Sequence, residues 1–378
     1  MMVIEMKITG IKVYILKPQE FSREATRINV PSALVQILTD EEIDGITMLE
    51  EASHAEELVM KFKTGRKWLR STEDFIQLID ADPFDRERIE KSFWNQYFFQ
   101  RTAPSVLCAL DECLWDIVGK ALKMPIYKLI GAYREKIPAF ASTQSYGSVE
   151  DYVRVALECV ENGFKAIKIH PPRYWKRDIE VCRAVRDAVG EEVTLMLDPF
   201  HAYTREEALK VGREIEKLNF YWYEDPIPTT DIDGLAELCR SLDISVLTGE
   251  NVHDIYSYAE IIRRNAADGL RCLDVNVGGI TGMLKVAHLA ELFGMKCELH
   301  SWGHPWQQVA HLHIMLSIKN CDFFEMPFPI GIFDQGTRDV VRIDREGYVH
   351  APRKPGLGID VDWDEIRGRT IRVIAWPK

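Results

Sequence analysis

From Pro138 to Pro327 the chain repeats one pattern about every 25 residues: a short apolar run, then a charged amphipathic stretch. The apolar runs are PAFAST, FKAIKIH, VTLMLDP, FYWYEDP, ISVLTGE, LRCLDVNV, MKCELHS and CDFFEMP. Segments such as YVRVALECVENG, DIEVCRAVRDAVG, REEALKVGREIEKL and IDGLAELCRSL lie between them. The runs have strand length, and the charged segments carry apolar residues at helical intervals, so strands alternate with helices. Such alternation implies parallel strands joined by right-handed crossovers, and eight strands predict a closed barrel. A doubly wound open sheet is the alternative, but no glycine-rich phosphate loop follows the first run.

The first 50 or so residues read differently. ITGIKVYIL, ALVQILTD and ITMLEEAS show period-2 patterning around a polar loop at 18 to 30 and a turn at Glu41 to Gly45, which predicts an antiparallel meander. From Ser53 to about Lys128 the period becomes helical, and ALDECLWDIVGKAL places Leu110, Cys113, Leu114, Ile117 and Leu122 on or near one face. The expected organisation is an α+β capping module over residues 1–134, an α/β barrel over 135–335, and a segment over 336–378 that returns to the capping module.

Composition narrows the function classes. The 378 residues are 46% hydrophobic and need no staples to bury a core. A formal charge of −12, with no basic stripe, argues against a nucleic-acid surface. The eight cysteines are scattered without a CxxC pair, which suits a reducing compartment. The N-terminus lacks a signal-peptide pattern, and no run approaches the ~20 apolar residues that would span a membrane. A cytoplasmic location is expected.

Acidic residues close three consecutive strands. Asp198, Glu224 and Glu250 follow one another at intervals of 26 residues, which puts them at equivalent positions on neighbouring strands. Each acid alone is as readily a helix cap or a surface charge. Three on one rim repel strongly unless a cation sits between them, and an all-oxygen site with room for waters suits Mg²⁺ better than Zn²⁺. One strand earlier, Lys168 and His170 stand at i and i+2 and share a strand face. On later strands come Asp274, His300 and Glu325.

This layout resembles the enolase superfamily, across essentially the whole chain, including ALDECLWDIVGKALKMPIYKLIGA and VGGITG. The resemblance implies a modified TIM barrel, (β/α)7β, under an α+β capping domain, with metal ligands closing strands three, four and five and bases on strands two and seven. His300, with no lysine on strand six, places the resemblance in the mandelate racemase subgroup, and the His300 to Glu325 spacing is similar to that of its acid-sugar dehydratases. A homo-oligomer is also implied.

Two positions depart from that pattern. His170 stands where the second lysine of Lys-x-Lys would be, and Leu273 stands where the aspartate partnering the strand-seven histidine would be. Asp274 is one residue off, and a one-residue shift on a strand reverses the side chain.

The implied reaction is removal of the proton α to a carboxylate, with Mg²⁺ stabilising the enediolate and Lys168, His170 or His300 as base. His300 then protonates a departing β-hydroxyl, giving a 2-keto-3-deoxy acid, while Glu325, protonated in a dry pocket, donates a hydrogen bond to the other carboxylate oxygen. Arg23, Arg27, Arg173, Tyr174, Lys176, His201, Trp302, His304 and Trp306 are candidates to contact a small carboxylate substrate. A racemase or epimerase using two bases, or a noncatalytic binding relative, are the alternatives.

Overall fold

The computed structural model describes residues 6–23, 26–30, 32–49, 51–63, 77–92 and 103–377, without the side chains of 19–30. Its larger part is a curled parallel sheet. The strands β6 (Lys136–Ser142), β7 (Ala166–Ile169), β8 (Thr194–Leu197), β9 (Phe220–Glu224), β10 (Ser245–Thr248), β11 (Gly269–Cys272) and β12 (Lys296–Leu299) pair in sequence order, and β13 (Phe324–Pro327) returns to β6. There Glu325 aligns with Phe140 and Pro327 with Ser142. At the β12–β13 seam, side-chain bonds replace the ladder among the described residues: the buried Glu298 carboxyl accepts the backbone N–H of Asp322 at 2.8 Å and of Phe323 at 3.2 Å.

Helices Val149–Glu161, Trp175–Val189, Arg205–Lys217, Ile232–Ser241, Ile255–Arg263, Ile280–Leu292 and Pro305–Met315 make the crossovers. Local chemistry starts several of them: Ser148, Thr204, Asp231 and Asp254 each cap a helix through a side-chain oxygen, and Thr204 and Glu207 form a reciprocal capping box. After β13 the chain makes a short antiparallel strand, β14 (Tyr348–His350), on β6 instead of a crossover helix. The (β/α)7β architecture expected from the sequence is therefore present.

The antiparallel meander is also present. In the cap, β1 (Ile8–Leu16), β4 (Ala33–Thr39) and β5 (Gly45–Leu49) pair in that order, with Val13 opposite Val35. The last strand, β15 (Thr370–Trp376), joins the free side of β1, Ile374 opposite Val13. Helix Pro104–Ala121 is buried from Ser105 to Gly119 because it is wedged between this sheet and the barrel. Cys113 and Ile117 pack with the cap core, while Trp115 packs with the barrel helices. Asp111 holds the two bodies together, accepting from the Thr281 backbone N–H at 2.9 Å and hydroxyl at 2.6 Å.

Two expectations change. The segment at 18 to 30 is a hairpin, β2 (Gln19–Arg23) with β3 (Thr26–Val30), because its alternating TRINV and QEFSR segments pair with each other. The expected anion contacts Arg23 and Arg27 fall on it, and their side chains lie outside the described residues. LRCLDVNV leaves the strand at Cys272, and Asp274–Val277 forms a helical turn closed by Gly278 in the left-handed region (φ 82°). Among the described residues no helix is long and apolar enough to cross a membrane.

Candidate active site

Side chains alternate along each barrel strand, so the interior is built in layers. The lower layer is apolar: Phe140, Ala166, Met196, Trp222 and Leu247 pack together, with Phe140 and Trp222 edge to face at 5.4 Å. Two residues further along their strands stand Ser142, Lys168, Asp198 and Glu224, all buried. The dry floor beneath them raises the cost of every unpaired charge.

Asp198, Glu224 and Glu250 converge, with one ligand atom from each lying within 4.8 Å of the others. Lys168 Nζ lies 3.2 Å from Asp198 Oδ2, 3.0 Å from Glu224 Oε1 and 3.0 Å from Glu325 Oε1. Arg271 reaches Glu224 Oε1 at 2.8 Å and Glu325 Oε2 at 2.6 Å, while its Nη1 donates to the carbonyls of Glu298 and Leu299. Four carboxylates thus face two fixed cations. Two negative charges remain in the cluster, which a divalent cation would neutralise, and the hard oxygen donors fit a cation of the magnesium class. Burial, then the Asp198 charge, raises the Glu250 pKa.

Lys168 is wholly buried; burial works against its charge, but Glu224, Glu325 and Asp198 outweigh it and keep the ammonium protonated. Glu325 departs from the expected protonated donor. Burial pushes its carboxyl up, but Lys168 and Arg271 more than offset this and hold it well below the usual range. Its oxygens also accept from Ser142 Oγ at 2.8 Å and from the Ser301 N–H at 3.2 Å.

The two histidines differ. His170 has Nδ1 2.5 Å from the Thr143 carbonyl and Nε2 3.1 Å from Asp198 Oδ2, so both ring nitrogens are engaged. Burial lowers its pKa, but the Asp198 charge and contact outweigh that and raise it above the usual imidazole value. His300 lies 3.5 Å from Glu250 Oε1 through Nε2, and its Nδ1 is buried without a hydrogen-bond partner. Burial pulls its pKa down to about 4, leaving the imidazole neutral near pH 7.

Asp274 does not reach His300. It opens the helical turn after β11, takes Gln307 Nε2 at 3.0 Å on Oδ1, and places Oδ2 3.3 Å from His311. Above the acids, Thr143, Gln144, Ser145, His170, Arg173 and Trp302 help line a cavity of about 530 Å³. Arg173 stands in the left-handed region (φ 71°), its guanidinium 5.1 Å over the Phe200 ring. Trp302 packs edge to face on Phe333 at 4.7 Å. Three other candidates take different roles: His304 caps helix Pro305–Met315, Trp306 is core, and His201 bonds the Ile227 carbonyl and Asn251.

Residues 151–365 match the enolase C-terminal domain-like family, and residues 4–131 match the N-terminal domain of the mandelate racemase / muconate lactonizing enzyme family. The chain belongs to the enolase superfamily. An arabinonate dehydratase of Saccharolobus solfataricus is 32% identical over 260 residues, covering 68% of this chain and 69% of the relative. An N-succinyl-L-Arg/Lys racemase of Bacillus cereus is 27% identical, covering 97% of this chain and 98% of the relative. The structure of a D-glucarate dehydratase from Agrobacterium tumefaciens, complexed with magnesium, superposes with a TM-score of 0.84 at 30% identity, over 97% of this chain and 100% of that one. Relatives within the superfamily thus include both dehydratases and a racemase.

For this enolase superfamily member, reading the sequence missed Arg271, Ser142 and Thr143. Arg271 had a signal: it is the lone charge in the apolar run GLRCL, on a strand expected to be buried. Ser142 and Thr143 are small polar residues at the end of the first barrel strand, and nothing in the sequence distinguishes them from ordinary turn residues.

Proposed function

We propose that this protein is a Mg²⁺-dependent dehydratase of an acid sugar, an aldonate or aldarate, converting it to a 2-keto-3-deoxy acid. The observation that carries this reading is the inequality of the basic groups. His300 touches one carboxylate, at 3.5 Å through Nε2, keeps Nδ1 unpartnered and has its pKa drawn down by burial to about 4, whereas Lys168 lies within 3.2 Å of three carboxylates and His170 has both ring nitrogens engaged.

Asp198, Glu224 and Glu250 would hold the magnesium ion, which when bound stabilises negative charge developing on the substrate carboxylate. His300 takes the α-proton and becomes an imidazolium. It then returns a proton to the β-hydroxyl as the C–O bond breaks, water leaves, and the resulting enol tautomerises to the 2-keto acid. Lys168 and Arg271 act from below as fixed positive charges that keep Asp198, Glu224 and Glu325 ionised and in place. Arg173, at the mouth of the cavity, is placed for a distal carboxylate or hydroxyl.

Inversion at one carbon needs a second base on the opposite face, and both candidates for that role are already occupied. Screening mono- and diacid sugars with Mg²⁺ for 2-keto acid formation tests the proposal. Solvent deuterium entering an acid without loss of water would replace it with racemisation.

A further inference from the structure

A second cluster of ligating groups lies apart from the barrel mouth, where the cap meets the barrel. Cys108 and Glu112 stand at i and i+4 on one face of helix Pro104–Ala121. Asp274 comes from the turn after β11, and His311 from helix Pro305–Met315. All four are buried, His311 completely.

The geometry is that of inward-facing donors with outer supports. Glu112 turns Oε1 toward Cys108 Sγ at 3.6 Å, while its Oε2 accepts the Thr47 hydroxyl at 2.5 Å. Asp274 turns Oδ2 toward His311 Nε2 at 3.3 Å, while its Oδ1 accepts from Gln307 Nε2 and the Val275 N–H. Cys108, Glu112 and Asp274 each offer an atom within 4.8 Å of the other two. A tetrahedral ion about 2.0 to 2.3 Å from its ligands needs donor atoms roughly 3.3 to 3.8 Å apart; Cys108–Glu112 at 3.6 Å and Asp274–His311 at 3.3 Å fall in that range, and His311 stands beside Asp274 just outside the set of three that lies within 4.8 Å, so its ring must move inward to become the fourth ligand. The second oxygen of each carboxylate is held by an outer hydrogen bond, as ligands of metal sites are.

Two further observations point to a ligand. Neither ring nitrogen of the buried His311 completes a hydrogen bond, although Nε2 stands 3.3 Å from Asp274 Oδ2. The two carboxyls touch in a dry interface, and the ion pair drawn to them among the described residues is that of His311 with Asp274. A thiol, an imidazole and two carboxylates form a mixed set suited to a borderline-soft transition ion, not to magnesium.

We propose that Cys108, Glu112, Asp274 and His311 form a second, structural site for a divalent transition ion of the zinc class, which ties the cap helix to the barrel. Binding releases the protons held by the thiol and by the carboxyl pair. The ion joins three elements distant in sequence, one of them the helix that follows His300 and Trp302, so it would steady the wall of the cavity.

Cobalt is the probe. Chelator-stripped full-length protein is titrated with Co²⁺ in excess Mg²⁺, which occupies the acids at the barrel mouth. The expected result is a thiolate-to-cobalt charge-transfer band that saturates at one ion per chain, disappears in Cys108→Ser, weakens in His311→Gln and persists in Glu250→Gln. Zinc should displace the cobalt and raise the melting temperature of the wild type more than that of Cys108→Ser. Absence of the band in the wild type, or its survival in Cys108→Ser, overturns the site and leaves a carboxyl pair sharing a proton. If Cys108→Ser does not fold, the wild-type spectrum together with His311→Gln decides. The outcome is independent of the acid-sugar reaction, which involves none of these four residues.

Discussion

Arg271 Nη2 lies 2.6 Å from Glu325 Oε2, at the centre of a buried network that also contains Lys168 and Glu224. Removing the guanidinium leaves two carboxylates short of a cation in a site without bulk water. Arg271→Met should therefore cost about 3 to 5 kcal/mol of stability, the usual penalty for breaking a buried ion pair from one side. Urea unfolding measures this directly. A cost below about 1 kcal/mol would mean that water enters the network.

Of the three proposed magnesium ligands, Glu250 alone is bonded to neither Lys168 nor Arg271. Glu250→Gln should weaken Mg²⁺ binding by roughly tenfold or more through loss of a charged ligand, while leaving the stability of the metal-free protein nearly unchanged. Calorimetric titration and thermal melting separate the two effects. Equal magnesium affinity in the variant would remove Glu250 from the ligand set.

If the proposed acid-sugar dehydration holds, His300→Asn should lower kcat/KM by about 10² to 10⁴-fold and abolish exchange of the α-proton with solvent deuterium. Full exchange in this variant would move the base to another residue. The wild-type rate should hold down to acidic pH, because burial draws the His300 pKa to about 4.

His313 makes stability depend on pH. Its Nδ1 accepts the Tyr127 N–H at 3.1 Å and its Nε2 faces the Leu357 carbonyl at 3.1 Å, an arrangement only the neutral ring satisfies. Burial lowers its pKa to about 4, below the ~6.5 of an unfolded histidine. The unfolded chain then binds the proton first, so this contribution is complete above pH ~6.5 and is lost as pH falls toward 4, on the order of 3 kcal/mol in all. The urea midpoint should fall between pH 7 and 5, and more shallowly in His313→Gln. Identical slopes would show that the ring is not buried neutral.

Gly279 has φ 91°, and a Cβ there would come within 2.7 Å of Asp111 Oδ2. Gly279→Ala should destabilise the protein by about 2 to 4 kcal/mol through backbone strain and displacement of the Asp111–Thr281 contact. Thermal melting would show it. An unchanged melting temperature would mean that the cap does not depend on this contact.

The barrel was legible because its period is local: each strand and each helix carries its own pattern, and the interval between acids follows from one strand-helix unit per repeat. The set of Asp198, Glu224 and Glu250 came from that register alone. The ionisation states around it were not readable. Glu325, expected to be protonated, is flanked by Lys168 and by Arg271, and the nearby Asp198 raises the pKa of His170. A pKa depends on which charges lie within a few ångströms, and those contacts join residues tens of positions apart.

Asp274 shows the same division. The sequence by itself determined the strand-helix repeat, the rim acids and the displacement of Asp274 by one residue from the expected position, since each is set by spacing along the chain. Only the tertiary structure decided where Asp274 turns. The strand ends at Cys272, and the helical turn that follows carries the carboxylate to His311 and Glu112 at the cap interface, leaving His300 Nδ1 without a partner. The side chain's direction depends on where the backbone leaves the sheet, which is settled by packing between cap and barrel and not by the local run of residues.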